Sequence, residues 1–204
     1  MISILLPIYN GIEFINESVS TVIYQTYKDW ELIIGINGHP KESEIYKIAK
    51  EYETKDSRIK VLDLYTIKGK SNALNEMIKH CQYNWISLID VDDKWLPKKL
   101  ESQISYMDNY DIIGTYCKYF GDRNDQPSIP GGDLKNHNFT NVNPIINSSC
   151  LLRKSLAIWI ENGIEDYDLW LKLWKQGKQF YNVESIEVMH RIHRESAFNA
   201  KGNH

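Results

Sequence analysis

Ile86-Ser-Leu-Ile-Asp90-Val-Asp92-Asp93 is a short, mostly apolar run that ends in three carboxylates. A run of this kind bounded by polar residues reads as a buried strand, and the C-terminal end of a strand is where an open α/β sheet receives its ligands. Carboxylates there are costly to bury unless something binds them. Clustered hard oxygens suit Mg²⁺ or Mn²⁺ carrying a phosphate. A plainer role is also open: Asp92 and Asp93 stand just before Trp95-Leu-Pro97-Lys-Lys-Leu100 and could cap that segment as a helix.

The elements that would position these carboxylates alternate in the first half of the chain. Residues 3–7, 30–34, 59–62 and 85–89 read as strands, and residues 12–27, 43–54 and 70–81 as helices. This βαβαβαβ order predicts an α/β fold, Rossmann-like, with a mostly parallel central sheet and helices on both faces. Pro7 suits the end of its strand, because proline interrupts a central ladder. The second half is less regular. Residues 110–119 read as a strand, 121–139 as a long loop of the length that often forms a functional lid, 146–152 as a short strand or turn, and 154–161 and 167–176 as helices.

With 204 residues, 42% of them hydrophobic and 25% charged, the chain has the composition of one globular domain. A net charge of −3 with no basic stripe gives no case for nucleic acid. Cys81, Cys117 and Cys150 are odd in number and lack metal-ligand spacing, as expected of reduced thiols in a cytoplasmic protein. The opening Met1-Ile-Ser-Ile-Leu-Leu-Pro7 is too short for a signal peptide and has no basic flank. Nothing approaches a membrane span, which leaves room for peripheral membrane contact only.

Several blocks, taken in order, resemble the family 2 glycosyltransferases, whose fold is called GT-A. Ile4-Leu-Leu-Pro7-Ile-Tyr9-Asn10-Gly11 resembles the family's opening. Residues 24–34, from Tyr24-Gln25-Thr26-Tyr27 through Trp30-Glu31 to Ile34, resemble the second strand and its approach. Gly69-Lys70-Ser71-Asn72-Ala73-Leu74-Asn75 resembles the turn and helix before the metal strand. Asp90-Val91-Asp92-Asp93 resembles the metal motif, Glu165-Asp166 with the following Tyr-Asp-Leu-Trp the acid motif, and Arg191-Ile-His193-Arg-Glu-Ser196 the closing segment.

The resemblance implies an inverting transfer of a sugar from a nucleotide diphosphate donor, UDP-linked by family habit, to an acceptor hydroxyl on a glycan or another molecule. It implies one domain over residues 1–204, with a nucleotide-sugar-binding half at 1–95 and an acceptor-binding and catalytic half at 96–204. The implied cofactor is a divalent metal, Mn²⁺ or Mg²⁺, held by Asp92 and His193. Asp90 would reach the ribose or the metal shell, and Asp93 is left between that cluster and a capping role. His190 competes with His193 but stands where the family usually has an aromatic residue. Asp166 matches the family's general base, with Glu165 orienting it or the acceptor; otherwise these acids simply enrich a helix start that includes Gly163 just upstream. Pro7, Tyr9 and Asn10 would meet the base and ribose, with Tyr9 stacking on uracil or else packing under the turn. Lys70, and more weakly Lys68, would meet phosphate.

One departure concerns the donor. Where the family usually reads Asp-Asp-Gly-Ser after the second strand, this chain has Ile36-Asn37-Gly38-His39. Asn37 keeps an acceptor oxygen for the base but loses the charge and gains two donors. On the acceptor side, residues 121–139, Asn147-Ser148-Ser149 and Trp159 are candidates by position alone, and a cleft this open invites completion by a homodimer partner. Two other functions remain open: a binding protein that keeps the fold without turnover, and a nucleotidyltransferase. The turn Asn10-Gly11-Ile12-Glu13 lacks the basic residues that the latter would use.

Overall fold

Every residue of Ile2–Ile8 (β1) and of Trp30–Asn37 (β2) is buried. Such continuous burial requires cover on both faces, and the alternation of side chains along a strand supplies it. Ile2, Ile4, Leu6 and Ile8 join a core with Ile15, Val19 and Val22 of helix Ile15–Ile23 (α1). Leu5 and Ile33 point the other way, into a second core with Leu74 and Met77 of helix Lys70–Ile78 (α4). In this computed structural model, residues 1–161 and 165–193 are described.

Between β2 and α4 lie the short helices Glu44–Lys50 (α2) and Tyr52–Lys55 (α3) and strand Ile59–Leu64 (β3). Then follow Trp85–Leu88 (β4), Lys94–Trp95 (β5), helix Lys99–Ile104 (α5), Ile112–Gly121 (β6), Gly132–Asp133 (β7), Leu151–Arg153 (β8), helix Glu165–Lys175 (α6) and Phe180–Ile192 (β9). Among the described residues, all nine strands belong to one sheet in the order β3-β2-β1-β4-β8-β6-β9-β5, with β7 also on β9. The strands of the first half are parallel, as expected. Beyond β4 the sheet is mixed, since β8 runs antiparallel to both its neighbours while β6 and β9 are parallel.

The second half departs from the sequence expectation in three places. The helix expected over 154–161 is a single 3₁₀ turn at Lys154–Leu156. The backbone of Trp159 is instead held by Asn75, which donates to its carbonyl at 2.8 Å and accepts from its amide at 3.0 Å. The loop over 121–139 is anchored at its far end rather than free to act as a lid: Phe139 is fully buried, stacked on Trp174 at 5.4 Å and edge-on to Phe180 at 4.8 Å. The 13-residue β9 has no counterpart in the sequence reading. The three cysteines are free and buried, and burial raises their thiol pKa values to about 11 for Cys81 and about 12 for Cys117 and Cys150. Among the described residues, no helix is long and apolar enough to cross a membrane.

Candidate functional site

The strands β1 and β4 part company at one point. Leu5 accepts the last rung from the Ile89 N–H at 3.1 Å, and two residues on Pro7 would aim its missing N–H in the same direction, where no rung is needed. The gap that opens there receives Asp90. Lys70 Nζ, from the first turn of α4, lies 2.6 Å from Asp90 Oδ1. Asn147 Nδ2 bridges both carboxylate oxygens at 3.2 and 3.0 Å, and Ser148 Oγ accepts from the Asp90 amide at 3.0 Å. Burial works against the charge of Asp90, but Lys70 and Asn147 outweigh it and hold the carboxyl below its usual range. Lys70 is correspondingly held above the ordinary lysine value against its own burial.

The next two carboxylates meet β9. His193 Nε2 lies 3.0 Å from Asp92 Oδ2. Burial, then the negative charges of Asp93 and Asp90, push the Asp92 carboxyl up. Asp93 does not cap α5, whose N-terminus carries no side-chain cap. It is fully buried, with one oxygen 2.9 Å from His190 Nδ1 and the other accepting from the Arg191 amide at 2.9 Å. Burial disfavours the imidazolium of His190, yet the Asp93 charge prevails and its pKa rises to about 9. The Arg191 guanidinium is sandwiched between the rings of Phe14 and Phe120, 4.4 and 4.3 Å from their centroids. It donates to the Asp92 carbonyl at 2.9 Å.

Two adjoining cavities of about 270 and 490 Å³ share Pro7, Tyr9 and Lys70. Asn10, Asp90, Asp92, His190 and His193 line the smaller one, and Asn37, Gly38 and Lys68 the larger. Tyr9 is 56% exposed and therefore does not pack under its turn. Its ring stacks on His39 at 5.2 Å, and the same imidazole hydrogen-bonds the Tyr9 carbonyl. Gly38 permits this, since with φ +75° a Cβ there would come within 2.8 Å of the tyrosine ring. Asn37 is only 3% exposed, and among the described residues its amide has no hydrogen-bond partner.

Glu165 and Asp166 open α6. Asn143 Nδ2 donates to Asp166 Oδ2 at 3.0 Å. Burial dominates here and raises the Asp166 carboxyl above its usual range, against the pull of Asn143 and the Lys70 charge. Asp166 is close enough to both Lys70 and Asp90 to feel their charges.

Pro7, Tyr9, Asn10, Asn37, Lys70, Asp90, Asp92 and His193 are thus brought around one cleft, with Glu165 and Asp166 within electrostatic reach of Lys70. Trp159 is not available to an acceptor, being buried against α4, and Asn147 and Ser148 are spent on Asp90. Gly163 and residues 194–196 of the closing segment lie outside the described residues. Sequence reasoning missed Asn143 and the Asp93–His190 pair; neither has a local pattern, because each depends on a contact across at least 23 positions. Among the described residues, no three His, Cys, Asp or Glu side chains converge to enclose a metal by themselves.

A family model described as Glycosyl transferase family 2 matches residues 3–158. The O-antigen biosynthesis glycosyltransferase WbnJ of Escherichia coli is 31% identical over 96% of this chain and 81% of its own length. The Escherichia coli protein named UDP-Glc:alpha-D-GlcNAc-diphosphoundecaprenol beta-1,3-glucosyltransferase WfgD is 36% identical, over 58% of this chain and 46% of its own. Among solved structures, the mannosyltransferase PcManGT from Pyrobaculum calidifontis, in complex with GDP-Man and Mn²⁺, superposes with a TM-score of 0.75 over 98% of this chain at 12% identity. That likeness is one of fold, and this chain spans 59% of the mannosyltransferase chain.

Proposed function

The chain belongs to glycosyl transferase family 2, and from that premise we propose that it is an inverting, metal-dependent enzyme. It moves a sugar from a nucleotide diphosphate donor to an acceptor hydroxyl, with Asp166 as general base. The observation that carries this reading is the contrast between Asp90, held ionised by Lys70 and Asn147, and Asp166, raised by burial within reach of the same cation.

On the donor side, Tyr9 offers an exposed ring for the nucleobase and Asn37 an unpartnered amide that can accept and donate at the base edge. The names of the relatives favour UDP, as in WfgD, while the mannosyltransferase of the same fold holds GDP-Man. An amide, which both accepts and donates, is compatible with the imide edge of uracil and with the lactam edge of guanine. Pro7 and Asn10 would border the ribose, and Lys70 and Asp90 the diphosphate and sugar.

The residues fit a divalent metal. Asp92 and His193 present a hard oxygen and a borderline nitrogen 3.0 Å apart, and Asp92 is an anion crowded by two others, which a cation would relieve. Two protein ligands match the habit of Mg²⁺ and Mn²⁺ sites that take the rest of their shell from phosphate and water. When bound, such a metal supplies positive charge for the departing diphosphate.

The acceptor oxygen attacks the anomeric carbon while the bond to the diphosphate oxygen breaks, and Asp166 takes the acceptor's proton. A single displacement of this kind inverts the anomeric centre. The base works deprotonated, so the raised pKa of Asp166 sets an acid limb: transfer rises with pH through that value and levels off above it. Asn143 orients the carboxylate, and Glu165 stands beside it at the start of α6. Of the acceptor's chemistry, the lipid-diphosphate-linked sugar in the WfgD name is the nearest guide, which fits glycan biosynthesis with the acceptor presented at a membrane surface. Residues 1–95 supply most of the donor site and 96–204 the base, although Asn147, His190 and His193 cross into the donor cleft.

The test is nucleotide release from UDP-, GDP-, TDP- and CMP-sugars with Mn²⁺ and with chelator. Release from one donor, dependent on Mn²⁺, is expected; binding of nucleotide without release from any sugar, with or without lipid-linked acceptor, would make the protein a non-catalytic member of its family.

A further inference from the structure

His190 is the cleft histidine that the reading above leaves without a task. It lines the smaller cavity near the end of β9. Its Nδ1 lies 2.9 Å from Asp93 Oδ2. Asp93 is fully buried, and its other oxygen accepts from a backbone amide. Arg191 sends its guanidinium elsewhere, to the Asp92 carbonyl and to Glu17 at 2.9 Å. The buried carboxylate therefore has the imidazole as its neighbouring cation, and a buried carboxylate without one costs several kcal/mol.

This arrangement fixes which nitrogen is free. Asp93 accepts the Nδ1 proton, so Nε2 is the ring nitrogen left to meet whatever fills the cavity. The His190 side chain is 21% exposed, and Lys70, Asp90 and Asp92 line the same cavity. Lys70 already donates to Asp90, so a polyanion entering here gains from a second charged donor whose other end is held in place by the protein. An imidazolium backed by a carboxylate is such a donor.

We propose that His190, held by Asp93, is a further diphosphate-binding residue whose Nε2–H donates to an oxygen of the leaving diphosphate. The inference rests on the nucleotide diphosphate reading given above. As the bond between the anomeric carbon and the diphosphate oxygen breaks, its electron pair stays on that oxygen. The growing negative charge strengthens a hydrogen bond already aimed at it.

Two substitutions separate the ring's two ends. His190→Asn keeps an amide donor near the Nδ1 position for Asp93 and removes the Nε2 donor. His190→Gln places an amide donor near the Nε2 position. Calorimetric titrations in chelator would compare UDP and GDP, each against its nucleoside, and a separate titration would use Mn²⁺ alone. For the nucleotide that binds, His190→Asn is expected to raise Kd roughly 10- to 100-fold, the range for a hydrogen bond to a charged group. The nucleoside and Mn²⁺ alone should bind as in wild type, the thermal midpoint should fall in both variants because both strip the cation from Asp93, and His190→Gln should recover part of the lost affinity.

Unchanged diphosphate affinity in His190→Asn overturns the inference while leaving the donor reading intact. A parallel loss of Mn²⁺ affinity overturns it in favour of metal ligation, and a parallel loss of nucleoside affinity in favour of a structural role. If the wild-type protein binds no nucleoside diphosphate either in chelator or with Mn²⁺, the donor reading fails and this inference with it.

Discussion

Asp90, after β4, and Asp166, at the start of α6, are both partly buried, yet their surroundings push them in opposite directions. Asp90 has an ammonium at 2.6 Å and an amide on both oxygens, and it stays ionised well below neutrality. Asp166 has the Asn143 amide, the Tyr167 backbone N–H and a more distant share of the same ammonium, and burial wins. Two acids that share one lysine thus differ: one is an anion fixed by its neighbours, and the other holds its proton more tightly than usual. Environments that drive neighbouring carboxyls apart are a general mark of acid–base sites.

The largest expected break in this contrast comes from Asp166→Asn. Transfer should fall by roughly 10²- to 10⁴-fold, the usual worth of a general base, while calorimetry shows donor affinity near wild type. Retained turnover in this variant would remove Asp166 from the chemistry.

Lys70→Met comes second, because it strips the cation from Asp90. Donor affinity should drop roughly 10- to 100-fold, as for loss of a charged hydrogen bond. Saturating donor should restore much of the rate if Lys70 acts through binding. A rate defect that persists at saturation would instead place Lys70 in the chemical step.

The smallest effect is expected from Asn143→Ala. Asn143 lowers the pKa of Asp166 by hydrogen-bonding its anion, so its removal raises that pKa further. A general base at Asp166 would act deprotonated, hence the acid limb of the pH–rate profile should move to higher pH. At the plateau the loss should stay below about tenfold. An acid limb that stays in place would mean that another group sets it.

Much of this contrast was legible in residue types. β1, β2 and β4 announce themselves as apolar runs because both their faces are covered, and Asp90, Asp92 and Asp166 stand at element ends where a sheet fold puts its chemistry. β9 was not legible. Its register against β6 shifts twice, between Thr115 and Tyr116 and again between Tyr116 and Cys117, so the two-residue alternation that marks a strand is broken. Glu184 and Glu187 further interrupt the run. The partners Asn143 and Asn147 are ordinary loop asparagines in sequence and gain meaning only when α6 and β4 arrive beside them. Asp93 misled for a related reason, since a carboxylate before a helical segment looks like a cap until β9 supplies a histidine.

The position of β9 in the sheet also bears on how the chain folds. This strand lies between β6 and β5, so Lys94 and Trp95 wait for Met189 and Val188, made more than ninety residues later, before they have a neighbour. Pairings over such separations close large loops and form slowly. During synthesis the donor strands β1, β2, β3 and β4 can assemble as a parallel unit while that edge stays open. His190 then arrives on the strand that completes the sheet, and His193 directly follows it. If these histidines serve as proposed, nucleotide-diphosphate affinity is gained late in folding, and a partly folded chain with an apparently intact first half would hold its donor poorly.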